Sequence, residues 1–199
     1  MTDPFLRRVR VSNADEAMRN SLLAALRRNK TYKAGAPSTD RRALRHTWAA
    51  LITTVAEAYS QPVADGEHCA AIARICKELS TRFGSHLIGG RLRFGTSQKA
   101  LNLYLKFLWR LGAIRTPPHC PVDRAVLRRV RLPGSWTRCD SKDEYMIWIE
   151  AARRLAGERP LAVWEYELWN EGTPNNALNL TKGARSAHRL TRLRGARSY

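Results

Sequence analysis

Cysteine, glycine and long apolar runs are all in short supply. The four cysteines among 199 residues, at positions 69, 76, 120 and 139, form no Cys-x-x-Cys pair. That spacing excludes a disulfide scaffold and offers no metal-ligand signature, so no metal is expected. Twelve glycines without a fixed period exclude a fibrous repeat. No apolar run approaches the roughly 20 residues that cross a bilayer, and no membrane is expected as a partner. The stretch from Met1 to Val11 has neither the apolar core nor the small-residue cleavage site of a secretory signal. The expected location is therefore the cytoplasm, at the nucleoid in a bacterium. A Walker-type glycine loop and a Gly-x-Ser-x-Gly elbow are missing as well, and no cofactor is expected.

Carboxylates are the shortage with the most direct consequence. There are 17 Asp and Glu against 35 Lys and Arg, a formal charge of +18. Arginine outnumbers lysine 28 to 7, and the planar guanidinium is the side chain that grips phosphate through two parallel hydrogen bonds. A GC-rich genome also favours arginine codons, but codon bias does not delete acids. Residues 79–122 hold seven basic side chains and no carboxylate; residues 172–199 hold six and none. A nucleic-acid surface accounts for both facts.

What is present reads as helix after helix. Ser12 with Asp15 three residues on predicts a capping box for a helix to about Asn29. Ser38 or Thr39 predicts the cap of a second helix, ended by Gln61-Pro62, and Asp65 that of a third, ended near Gly84. A fourth, from about Ser97 to Leu111, is apolar nearly all round and so central. Its polar residues Lys99, Asn102, Lys106 and Arg110 form one narrow stripe, either an edge reaching solvent or the wall of a cleft. Further helices are predicted from Pro121 to Val130, from Asp140 or Ser141, and from Pro160. No alternating pattern predicts a sheet. The fold class is all-α: one helical domain over 1–172, with a helix-hairpin-helix element and site at about 92–127, then a basic tail over 173–199.

Two residues in that site carry candidate chemistry. Lys99 is placed in the first turn of a buried helix, where burial and the helix field both push its pKa down toward that of an amine nucleophile. Asp123, the first carboxylate after Glu78, opens its own helix and meets Lys99 if the two helix starts converge. The same residues admit a structural role: a lysine snorkelling to solvent or holding a phosphate, and an aspartate satisfying backbone N–H groups behind Pro121.

The run Leu92-Arg93-Phe94-Gly95-Thr96-Ser97-Gln98-Lys99-Ala100-Leu101-Asn102, followed by Val122-Asp123, resembles the helix-hairpin-helix DNA glycosylases over roughly residues 40–170. Gly95 matches the first hairpin glycine, Lys99 the hairpin lysine, and Val122-Asp123 the aspartate pair. Ser97 stands where the family has its second hairpin glycine. The resemblance implies a hairpin backbone that holds a DNA phosphate, a Lys99 that attacks the sugar C1′, and an Asp123 that assists base departure.

The expected function is therefore excision of a damaged or modified DNA base, with lyase activity at the resulting site. Arg91, Arg93, Gly95, Ser97, Gln98, Lys106 and Arg110 are the expected nucleic-acid contacts, and Tyr145, Trp148, Trp164 and Trp169 the expected base pocket. Two other functions fit the same residues: passive nucleic-acid binding through the hairpin, and an N-glycosidase directed at RNA or nucleosides. Lys182, Arg185, Arg189, Arg192, Arg194 and Arg197 suggest a cationic C-terminal arm.

Overall fold

The computed structural model describes residues 3–27 and 29–171. Among these there are eight helices: α1 (Pro4–Val9), α2 (Ala14–Leu26), α3 (Ser38–Ala56), α4 (Asp65–Phe83), α5 (Phe94–Arg110), α6 (Arg124–Val130), α7 (Lys142–Ala156) and α8 (Leu161–Glu171). The described residues contain no strand, only an isolated bridge between Tyr32 and Leu87. The fold is all-α. The chain divides into a compact unit of residues 1–166 and a second unit of 167–199, so the last turn of α8 falls in the second. The proposed tail boundary and cationic arm lie outside the described residues.

Helix α5 is the centre of the first unit. It packs on α2 and α4, while α3 lies against α4 and α6 against α7. Leu101 and Leu105 on α5 meet a core that includes Trp48, Ile52, Ile72, Ile75, Leu79 and Ile149, all fully buried. Burying each such side chain contributes roughly 1.5–3 kcal/mol.

The helix starts differ from the sequence expectations in informative ways. Helix α2 is capped by Asn13, whose Oδ1 accepts from Glu16 N–H at 2.9 Å, while Glu16 Oε2 takes both the N–H and the hydroxyl of Ser12. The expected Ser12/Asp15 box is thus replaced by an Asn13 cap, with Glu16 reaching back to Ser12 and not to the cap residue itself. Helix α3 follows Pro37 with no side-chain cap. At α4 the Asp65 carboxylate points to Arg153 and His119 instead of capping its own helix. Helix α6 begins at Arg124, not Pro121, because Asp123 is its N-cap. Helix α1 was not foreseen: Asp3 Oδ1 accepts from Phe5 N–H at 2.7 Å, and the short helix buries Phe5 and Leu6.

The largest shift concerns α5, which begins at Phe94, three residues before Ser97. Gly95 is thus inside its first turn, and Lys99 is on the second. Between α4 and α5 the chain makes two short 3-10 turns, 84–86 and 88–90, and then runs extended through Arg93. Gly95 is needed because the segment 132–139 crosses directly over it: its N–H donates to Cys139 O at 2.9 Å, and any Cβ there would collide with the Trp136 carbonyl. Gly134 (φ 125°) serves the same segment, lying on the indole of Trp148 where a side chain would not fit.

Candidate functional site

The starts of α5 and α6 converge through one side chain. Gln98 is fully buried; its Nε2 donates to Val122 O at 2.7 Å, and Val122 N–H donates back to Oε1 at 3.2 Å. The clamp fixes the residue before Asp123 against the residue before Lys99. Lys99 Nζ then donates to Asp123 Oδ2 at 2.8 Å, across twenty-four positions of sequence. Lys99 is only 8% exposed.

Asp123 does two things at once. Its Oδ1 accepts from the N–H groups of Ala125 (2.8 Å) and Val126 (3.3 Å), capping α6, while Oδ2 faces Lys99. Burial alone would raise its pKa; the Lys99 ammonium and the two N–H groups outweigh burial and hold the carboxyl below its usual range. Because α5 starts earlier than expected, Lys99 is beyond the turn where the helix field opposes a cation most strongly. The Asp123 carboxylate is its dominant neighbour.

The pair opens into a cleft of about 330 Å³ lined by Ala24, Arg27, Lys99, Asp123, Arg124, Ala125, Arg128 and Trp136. Four cations thus face one carboxylate. Arg27, Arg124 and Arg128 are exposed and have no carboxylate partner among the described residues. An anion entering the cleft meets guanidinium groups that are not already neutralised.

The other expected contacts lie elsewhere. Arg91 and Arg93 both bind Asp140 Oδ2, at 2.8 and 3.3 Å, which cancels part of their charge. The Gly95 N–H is taken by Cys139 O, Ser97 is buried beside Cys76, and Gln98 is spent on Val122. Lys106, 2% exposed, pairs with Glu165 Oε2 at 2.7 Å over the ring of Phe5. Arg110 is held by Asp3 and lies over the rings of Tyr166 and Trp109. Within the polar stripe of α5, Asn102 and Lys106 are interior: Asn102 Nδ2 is held by Gln98, Cys120 O and Tyr145, Lys106 pairs with Glu165, and neither residue reaches solvent.

Three of the four expected pocket aromatics are core. Trp148 and Trp164 are buried, and Tyr145 is fully buried at the centre of a polar chain. Trp169 sits half-buried on the last turn of α8, within the second unit. Around Tyr145, Asn102 Nδ2 stands 3.0 Å from the tyrosine oxygen and from Cys120 O. The Tyr145 hydroxyl meets His119 Nδ1 at 2.8 Å, and His119 Nε2 meets Asp65 at 3.2 Å. His68 packs against the His119 ring at 4.5 Å and pairs with Tyr59 at 2.6 Å. Burial pushes His119 down to about 4 and His68 well below its ordinary value.

Arg27, Arg124, Arg128 and Trp136 were not anticipated as site residues. Arg124 and Arg128 carried a usable signal: they follow Asp123 at a spacing of four, hence on one face of α6. Arg27 and Trp136 carried none, being brought in by packing across the sequence. Among the described residues no group of three His, Cys, Asp or Glu is arranged to hold a metal ion, and no helix is long and apolar enough to cross a membrane. Compared with known proteins, the chain matches no family model, no curated protein and no solved structure.

Proposed function

We propose that the protein is a DNA N-glycosylase with abasic-site lyase chemistry, acting through Lys99 and Asp123. The observation that carries this reading is the 2.8 Å contact of Lys99 Nζ with Asp123 Oδ2 in a cleft walled by three arginines that have no carboxylate partner among the described residues. An amine beside a proton acceptor, in a place built for an anionic substrate, is the minimum equipment for attack at a sugar carbon.

A nucleotide rotated out of the duplex would enter the cleft with its phosphates toward Arg27, Arg124 and Arg128. Drying the cleft disfavours the ion pair relative to the neutral pair, so the ammonium proton passes from Lys99 to Asp123. The freed lone pair of Nζ bonds to C1′ as the bond from C1′ to the base breaks, and the base leaves with the bonding electrons. Opening of the sugar ring then gives the Schiff base, from which β-elimination cuts the strand. The cleft volume is at the lower end of the range for small-molecule sites, which suits one base and its sugar.

A second reading has its own support. Because Asp123 caps α6, its pairing with Lys99 also serves the fold, as passive binding of nucleic acid would require. Single-turnover base release, with protein in excess over a panel of DNA and RNA duplexes each carrying one modified base, separates the two. The glycosylase releases at least one base from DNA, and Lys99→Ala abolishes strand cutting. Tight binding across the panel with no base released identifies the passive binder.

A further inference from the structure

Beside the Lys99 cleft lies a larger groove of about 490 Å³, bounded by α6 and residues 131–137. The two share Arg124, Arg128 and Trp136, so they are neighbours along one surface. No carboxylate among the described residues lines the groove. Arg131 joins Arg124 and Arg128 in it, and Ser135 and Thr137, whose hydroxyls hydrogen-bond each other at 2.8 Å, also line it.

Arg124 and Arg128, four residues apart, share one side of α6, and Arg131, just past its end, lines the same groove. All three are exposed, and none has a carboxylate partner among the described residues. Four other arginines are paired: Arg91 and Arg93 share Asp140, Arg110 has Asp3, and Arg153 has Asp65 and Glu150. The field at the end of a helix favours cations at Arg128, but offers nothing to Arg124, the first residue of α6. Arg131 ends the helix in the left-handed region (φ 55°), a conformation that glycine or asparagine adopts more readily. A row of like charges kept together at such positions is relieved by a polyanion.

We infer that this groove is a phosphodiester track: resting on the glycosylase reading, it holds the backbone of the DNA strand on one side of the reacting nucleotide. The grip on flanking phosphates lies on α6 and not at the start of α5, whose Gly95 N–H is already committed to Cys139. Ser135 and Thr137 share one hydrogen bond at 2.8 Å, which leaves one of the two O–H groups as a neutral donor, and the contact reads no sequence.

The test uses the full chain and a fluorescent duplex of about 20 base pairs with a tetrahydrofuran abasic analogue at its centre. Arg131→Asn removes the charge while keeping a residue suited to the left-handed region. Arg129→Asn, on α6 but outside both clefts, is the control. Arg131→Asn should weaken binding several-fold and flatten the slope of log affinity against log salt by about 0.9, the value for one phosphate, with no change for Arg129→Asn. With duplexes truncated just 5′ or just 3′ of the analogue, one truncation should abolish the difference between Arg131→Asn and wild type. An unchanged salt slope, equal effects of the two variants, or a difference that survives both truncations would each overturn the track. Borohydride trapping of the wild type on a duplex with a true abasic site in place of the tetrahydrofuran analogue, run in parallel, separates the two claims. Trapping with an unaltered Arg131→Asn slope refutes only the groove, and a flattened slope without trapping refutes only the chemistry.

Discussion

Gln98 and Val122 exchange two hydrogen bonds, amide nitrogen to carbonyl at 2.7 Å and backbone N–H to amide oxygen at 3.2 Å, with both residues fully buried. Each is the immediate predecessor of a site residue. The geometry of Lys99 against Asp123 therefore depends on a side chain that touches neither.

Replacing Gln98 by Ala strands a buried N–H and C=O on Val122, and the loss of such partners costs about 1–3 kcal/mol per group. Gln98→Ala should lower the melting temperature and, well below it, cut the single-turnover rate at least tenfold while DNA affinity stays within twofold. A purely structural clamp would lower stability and leave the rate of the folded fraction unchanged.

Asparagine caps helices about as well as aspartate, so Asp123→Asn should preserve the start of α6 but remove the proton acceptor for Lys99. Base release should fall by two orders of magnitude or more with affinity intact or slightly higher. Asp123→Ala loses the cap as well and should be less stable than Asp123→Asn by about 1 kcal/mol. Melting curves and single-turnover rates on both variants check this.

The paired histidines set a pH dependence whose sign is fixed. His119 is buried and pushed down to about 4, facing Asp65, Tyr145 and His68, with Arg153 beyond Asp65. Between its ordinary value of 6.5 and about 4 the unfolded chain binds a proton that the folded chain refuses, so stability falls as pH falls. His119 alone should cost roughly 3 kcal/mol over that window, and His68 acts in the same direction. Asp3, Asp65 and Asp123, all held below the ordinary value, lose their contributions only below about pH 4. Urea midpoints at pH 7, 5.5 and 4.5 should fall steadily in the wild type and more shallowly in His119→Gln.

Two glycines in helices should respond in opposite ways. Gly95→Ala drives a Cβ into the Trp136 carbonyl, and overpacking of this kind costs about 1–3 kcal/mol or more. Gly66, in α4 with open space around it, should gain up to about 1 kcal/mol as Ala through the reduced freedom of the unfolded chain. Chemical denaturation of both variants checks the contrast.

The α-helical class and seven of the eight helices were legible because apolar spacing and stop signals act locally. Helix α1 was not, having only Phe5 and Leu6 to bury, with Phe5 received by the distant rings of Phe107 and Tyr166. The stripe of Lys99, Asn102, Lys106 and Arg110 is the wall of a cleft only at Lys99; Asn102 and Lys106 are interior, which spacing alone does not distinguish. Its partners Glu165, Tyr145 and Asp123 come from distant segments. Nothing local in the sequence announces the Gln98 clamp, on which the convergence of Lys99 and Asp123 depends. Arg27 and Trp136 enter the cleft by packing alone, and the commitment of Gly95 N–H to Cys139 needed the course of the 132–139 segment.

The central claim is that Lys99 Nζ bonds to C1′, and the most direct measurement is covalent trapping. Borohydride added to the wild type with an abasic-site duplex, followed by mass spectrometry of the digested adduct, should place the reduced sugar on the peptide containing Lys99. Lys99→Ala should bind the same duplex and give no adduct. An adduct that persists in Lys99→Ala, or a wild type that binds the abasic duplex and forms none, would contradict the account.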